Sequence, residues 1–176
     1  TNVITINPTN DFESATQYYV QIDASAFDDS TKNSFAGIND KTSLSFTTAD
    51  VVSPTLNSTN PADNATKVEV DSDIKLTFSE AVDTESGSIY IKKSIDDSLV
   101  ENIDVTSSQV TGSGTNVITI NPTNDFESFT KYYVQIDASA FDDPSSNSFS
   151  GINDKTSLSF TSEDIEEPTL VSVSPD

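Results

Sequence analysis

The chain contains no cysteine, histidine, tryptophan, methionine or arginine. Without cysteine, no disulfide can staple the fold and no thiolate can act as ligand or nucleophile. Without histidine, the commonest general base and the commonest transition-metal ligand are both missing. Lysine supplies all 8 basic residues, against 29 acidic ones, so the 176-residue chain carries a formal net charge of −21. A surface of that sign repels phosphate backbones, which argues against nucleic acid as a partner. No apolar run approaches the ~20 residues of a membrane helix, which argues against membrane insertion. What is abundant is carboxylate, the ligand type that hard cations such as Ca²⁺ prefer. The competing reading is that this acidity only gives solubility, since most acidic residues lie on solvated faces.

The chain also repeats itself. Thr1–Ser14 recurs at Thr115–Ser128, Tyr18–Asp29 at Tyr132–Asp143, and Gly37–Thr47 at Gly151–Thr161, all at an offset of 114. Between Thr1–Ala62 and Thr115–Asp176, only 15 of 62 positions differ. A period this long is a whole domain rather than a solenoid rung. Asp50–Pro54 and Asp164–Pro168 read as linkers, polar or acidic and closed by proline. On that frame, residues 1–50 are the C-terminal half of one domain. Residues 54–164 are a complete domain, and 168–176 are the first strand of another. A permuted unit, 1–112, would cut the Val117–Ile120 strand from the hairpin before it.

Within the complete unit the periodicity is two, not 3.6. Ile74, Leu76 and Phe78 alternate with Lys75, Thr77 and Ser79. Ile89 and Ile91, Ile118 and Ile120, and Tyr132, Val134 and Ile136 do the same, and Leu158 and Phe160 end the series. After Ile91 a hairpin through Ser94–Ser98 leads to a strand at Leu99–Val105, and Thr55–Leu56 opens the unit. The pattern predicts an all-β antiparallel sandwich. Residues 121–130 are expected to hold one short helical turn. Tyr132, six residues after Phe126, is either a tyrosine corner, whose hydroxyl pins a strand crossing, or simply a core aromatic. Tyr19, Tyr133 and Tyr90 are expected to face outward.

The order of motifs is also familiar. Pro61–Ala81 is followed by a Gly-Ser-Ile strand start, then by Tyr133–Ile136, Phe141-Asp142-Asp143 with Asn147, and Leu158–Thr161. This order resembles the bacterial immunoglobulin-like repeat of S-layer proteins and very large adhesins. Two positions depart from it: Ser146 and Lys67 stand where that family usually has glycine. The resemblance implies an immunoglobulin-like antiparallel β-sandwich in tandem repeats, an extracellular cell-surface location and no enzymatic activity.

Catalysis has little to draw on. The serines are scattered, and adjacent carboxylates such as Asp142 and Asp143 point to opposite faces of an extended strand. Calcium is the sharper expectation. In a sandwich of alternating strands, the loop after the second strand and the loop before the last share a pole. Glu80 and Asp83 then lie near Asp137, Asp142 and Asp143, and the entering linker brings Asp50. The corresponding cluster in the partial repeat is Asp23, Asp28 and Asp29. Ca²⁺ taking 6–8 oxygens there would rigidify the junction. The competing reading makes these ordinary turn-forming Asp residues.

Near-identical neighbours favour a structural spacer or adhesive repeat in a large secreted surface protein, whose partners are neighbouring repeats. The alternative is a carbohydrate- or partner-binding accessory module of a secreted enzyme, which calls for an exposed aromatic patch. Residues 1–50 alone would expose a core face and sheet edges, so strand exchange with another chain is a standing hazard.

Overall fold

Apolar Ile74, Leu76 and Phe78 alternate with Lys75, Thr77 and Ser79, and past a register shift the run continues to Thr84 as one long strand whose inward side chains, Ile74, Leu76, Phe78 and Val82, are buried. In the computed structural model, which describes residues 2–172, the strands in chain order are β1 (Gln17–Tyr19), β2 (Ser45–Thr47), β3 (Leu56–Asn60), β4 (Ala65–Val68), β5 (Ile74–Thr84), β6 (Ser88–Lys93), β7 (Leu99–Asp104), β8 (Val110–Thr111), β9 (Thr115–Ile120), β10 (Lys131–Ile136), β11 (Phe141–Asp142) and β12 (Ser159–Ser162). There is no helix among the described residues. The chain divides into two units, Thr1–Val52 and Ser53–Asp176.

The second unit is built on two sheets. One runs β4-β12-β10-β6-β7; the other runs β11-β5-β9-β8, with β3 also paired to β5. All pairings are antiparallel except β4 with β12. The first edge is therefore shared. β3 lies on one sheet, and after a turn β4 joins the other beside the last strand, where the sequence suggested only one opening strand at Thr55–Leu56. Register sets the core: Ile74 lies opposite Ile120, Leu76 opposite Ile118, Ile89 opposite Ile136 and Ile91 opposite Val134. Inward side chains from both sheets meet in one apolar cluster, with Phe78 5.4 Å from Phe141 and 5.2 Å from Phe149. The turn into β9 requires glycine at 112, where φ is 99° and a Cβ would collide with the Val117 carbonyl.

Tyr132 is a tyrosine corner: its hydroxyl accepts the Glu127 N–H at 2.8 Å, and its ring packs 4.9 Å from Phe126. The helical turn expected in 121–130 does not form. The Phe126 N–H donates instead to the Val70 carbonyl at 2.8 Å, so the segment is tied to a distant loop rather than to itself.

Among the described residues, the first unit holds only β1 paired with β2, plus the bridges Ile22–Ile38 and Asp28–Ser34. It repeats the tyrosine corner, with Tyr18 accepting the Glu13 N–H at 2.9 Å. Residues 2–6 have the sequence of the β9 residues 116–120 and yet form no strand. Residues 165–172 are irregular, and 173–176, part of the expected strand of a further repeat, lie outside the described residues.

Candidate functional site

At one end of the second unit, β5 and β11 bring carboxylates together. Asp83 and Asp142 are register partners across these two strands. Carboxylate oxygens of Glu80 and Asp143 lie within 4.8 Å of each other. Asp137 follows β10 at the same end, where its carbonyl accepts the Ala140 N–H and the Ala140 carbonyl accepts from Glu85. The strand order thus places Glu80, Asp83, Asp137, Asp142 and Asp143 at a common pole.

These carboxylates do different work. Asp143 is buried and wraps its own loop, its oxygens accepting the Ser145 N–H, the Asn147 N–H and the Asn147 side-chain amide, each at 2.8 Å. Burial pushes its carboxyl up, but the hydrogen bonds from Asn147 and Ser145 together outweigh that and hold it below the ordinary carboxylate range. Asp137 accepts the Ser88 N–H at 2.9 Å and the Tyr90 hydroxyl at 3.3 Å, which fastens the start of β6. Asp83 accepts the Ser113 hydroxyl at 3.2 Å. Asp142 differs: its Oδ1 is buried with no hydrogen-bond partner among the described residues. A buried, unsatisfied carboxylate oxygen is costly, and a cation would satisfy it.

Asp50 lies in the first unit, where its carboxylate accepts the Ser14 hydroxyl at 2.9 Å and the Val52 N–H at 3.1 Å. The partial-repeat residues are all exposed. Asp29 accepts from Thr31 and Asn33, whose hydrogen bonds lower its carboxyl to about 2. Asp28 sits at the bridge to Ser34, and the Asp23 carbonyl accepts the Ala26 N–H.

A recurrent turn occupies six of the 29 acidic residues. Asp29, Asp40, Asp96, Asp104, Asp143 and Asp154 each accept the N–H of the Ser or Thr two residues on. The recurrent Asp-x-Ser/Thr was its legible signal. Two further carboxylates act at long range. Asp63 accepts the Ser159 N–H and hydroxyl, which fastens the β3–β4 turn to β12. Glu101 holds Thr123 and Gln109.

Tyr133 does not face solvent. It is buried on the outer side of its sheet, its hydroxyl donating to Asp97 at 3.1 Å and the Lys155 ammonium lying over its ring. The β6–β7 turn and the loop before β12 close over it, which strand alternation cannot reveal. Tyr19, its counterpart in the first unit, is exposed.

Residues 1–48 and 50–162 match the bacterial Ig-like domain, and the chain belongs to that family. Among solved structures, CopC from Methylosinus trichosporium OB3b is similar at 16% identity and a TM-score of 0.43, with 66% of this chain and 99% of that chain covered. No curated protein matches. No helix among the described residues is long and apolar enough to cross a membrane.

Proposed function

We propose that the chain is a run of tandem Ig-like repeats serving as a structural spacer and adhesive segment of a large secreted bacterial protein, displayed outside the cell at its surface. The observation that carries this is near-identical repetition, at a period of one whole domain, in a member of the bacterial Ig-like family. A spacer needs reach and stiffness and gains nothing from chemistry that differs between copies. On this reading the chain performs no catalysis of its own, and its partners are neighbouring repeats.

Calcium belongs to the proposal. The ion would draw on the pole that holds Glu80, Asp83, Asp142 and Asp143; the close approach of Glu80 to Asp143 supports it, and separately so does the buried Asp142 Oδ1 with no hydrogen-bond partner among the described residues. It would neutralise crowded carboxylates and tie β5 to β11. Two experiments test the two parts. The parent gene should encode many more copies at the same period; one or two copies beside a hydrolase domain would instead favour an accessory module. Millimolar Ca²⁺ should raise the melting temperature of the second unit, and no shift would remove calcium from the proposal.

A further inference from the structure

We infer that the outer face of the β6–β10 pair carries a binding site for one ring of a neutral, polyhydroxylated sugar. The inference rests on the adhesive part of the reading above and deepens it by naming the class of ligand. The floor of the site comes from two strands. Ile89 and Ile91 turn into the core, which leaves Tyr90 and Lys92 on the other side of β6, and Gln135 lies opposite Tyr90 in register. The chain after β10 supplies Asp137, and the loop before β12 supplies Ser150 and Asn153 as a wall. Together these line a cleft of about 250 Å³. Sites for drug-sized ligands run to roughly 300–1,000 Å³, so this cleft suits a single ring.

The polar groups of the cleft hold one another in place. The Lys92 ammonium donates to Gln135 Oε1 at 2.8 Å, and Gln135 Nε2 donates to the Asn153 carbonyl at 2.7 Å. The second bond recurs at the 114-residue offset, from Gln21 to the Asn39 carbonyl at 2.8 Å, so the loop fixes the amide in both copies. Asp137 accepts the Ser88 N–H and the Tyr90 hydroxyl on one oxygen, Oδ2. Bonding capacity remains on both charged groups. Among the described residues Lys92 has no carboxylate partner and uses one of its three N–H donors, and Asp137 Oδ1 accepts no hydrogen bond. An ammonium only donates and a carboxylate only accepts, whereas a hydroxyl does both. An anion would satisfy Lys92 but meet the charge of Asp137, and a cation would meet the reverse conflict. A neutral ligand bearing several hydroxyls satisfies both, and its C–H face packs on the Tyr90 ring. One ring held this way binds weakly, and a site carried once per repeat converts weak binding into avidity.

The test titrates the full chain, in chelator, with the methyl glycosides of glucose, galactose, mannose and N-acetylglucosamine, and with glucuronate as the anionic comparison. Backbone amide resonances of residues 135–138 and 150–153, and the Gln135 side-chain amide, should shift and saturate with a dissociation constant on the order of 1 mM for one or more of the glycosides. Tyr90→Ala and Lys92→Met should each weaken that binding about tenfold or more while the second unit still melts cooperatively, whereas Lys131→Met, outside the cleft, should leave it unchanged. Should Tyr90→Ala lose its fold, Lys92→Met decides. No saturable shift with any glycoside up to about 50 mM would overturn the inference. So would shifts that Lys92→Met leaves intact, because the ligand would then sit elsewhere, and so would binding of glucuronate alone, because the cleft would then be an anion site. None of these outcomes alters the repeat count of the parent gene or the effect of Ca²⁺ on melting, so the spacer reading stands or falls separately.

Discussion

Replacing Ser146 with glycine should stabilise the second unit, although glycine usually loosens a chain. Ser146 has φ of 67°, and its counterpart Lys32 has φ of 68°. Lys67, beside the register shift between β4 and β12, has φ of 59°. Both departures from the family's glycines therefore keep the left-handed backbone that glycine would adopt freely. An L-residue pays about 1–2 kcal/mol there. Glycine's extra freedom in the unfolded chain takes back roughly 0.4–1 kcal/mol. Ser146 is exposed, and the hydrogen bond from its N–H to the Asp143 carbonyl involves only backbone, so no contact is lost. The net gain should be about 0.5–1 kcal/mol for Ser146→Gly, and similar for Lys67→Gly. With a urea slope of about 1–3 kcal/mol per molar, each midpoint should rise by roughly 0.2–1 M with the slope unchanged. Hydrogen exchange at residues 74–78 and 118–120 would assign the transition to the second unit. Ser146→Val, a β-branched residue at positive φ, should move the midpoint down. A valine variant as stable as the glycine variant would refute the reasoning, because backbone strain would then not decide stability at that position.

Further outcomes follow from the same structure. Phe160→Ala empties a site packed 5.0 Å from Phe126 and 5.7 Å from Tyr132 and should cost about 3–5 kcal/mol in equilibrium denaturation. The identical change at half-exposed Phe46 should cost under about 1 kcal/mol. Asp142→Asn should stabilise the second unit in chelator and abolish any calcium-dependent rise in melting temperature, since it removes a carboxylate charge one of whose oxygens is buried with no hydrogen-bond partner among the described residues. On pH, the carboxyls of Asp143, Asp96, Asp104 and Glu101 all lie below their ordinary values. Groups depressed by folding stabilise it above their unfolded pKa and lose that contribution as pH falls through the folded one. Melting temperature should therefore hold between pH 8 and 5 and fall below about pH 4, with Asp143→Asn showing a shallower acid limb.

Legibility in the sequence followed locality. Ile74, Leu76 and Phe78 announced their strand because alternation is a property of the segment itself. The tyrosine corner was legible as one of two readings, because the hydroxyl's partner lies five residues away. The fate of Asn2–Ile6 was not legible: the same five residues are β9 at 116–120 and irregular at 2–6, so pairing with β5 makes the strand, not propensity. Tyr133 was misplaced for a related reason. Its cover comes from Asp97 and Lys155, which alternation along β10 does not encode. At the acidic pole, the common placement of Glu80, Asp83, Asp137, Asp142 and Asp143 came from strand order. Which oxygens were already engaged came from neighbours such as Ser88, Ser113 and Asn147.

The parallel pairing of β4 with β12 has a mechanical meaning. The second unit's chain enters through β3 and β4 and leaves through β12, and β4 and β12 run side by side in the same direction. Tension applied along the chain pulls β4 by its leading end and β12 by its trailing end. The two strands are driven past each other lengthwise, so their hydrogen bonds share the load together instead of opening one after another as in a peeled hairpin. The side-chain clamp of Asp63 on Ser159 lies across the same seam and resists the same slip. A tether made of such units would hold its length under pull and yield abruptly, one unit at a time.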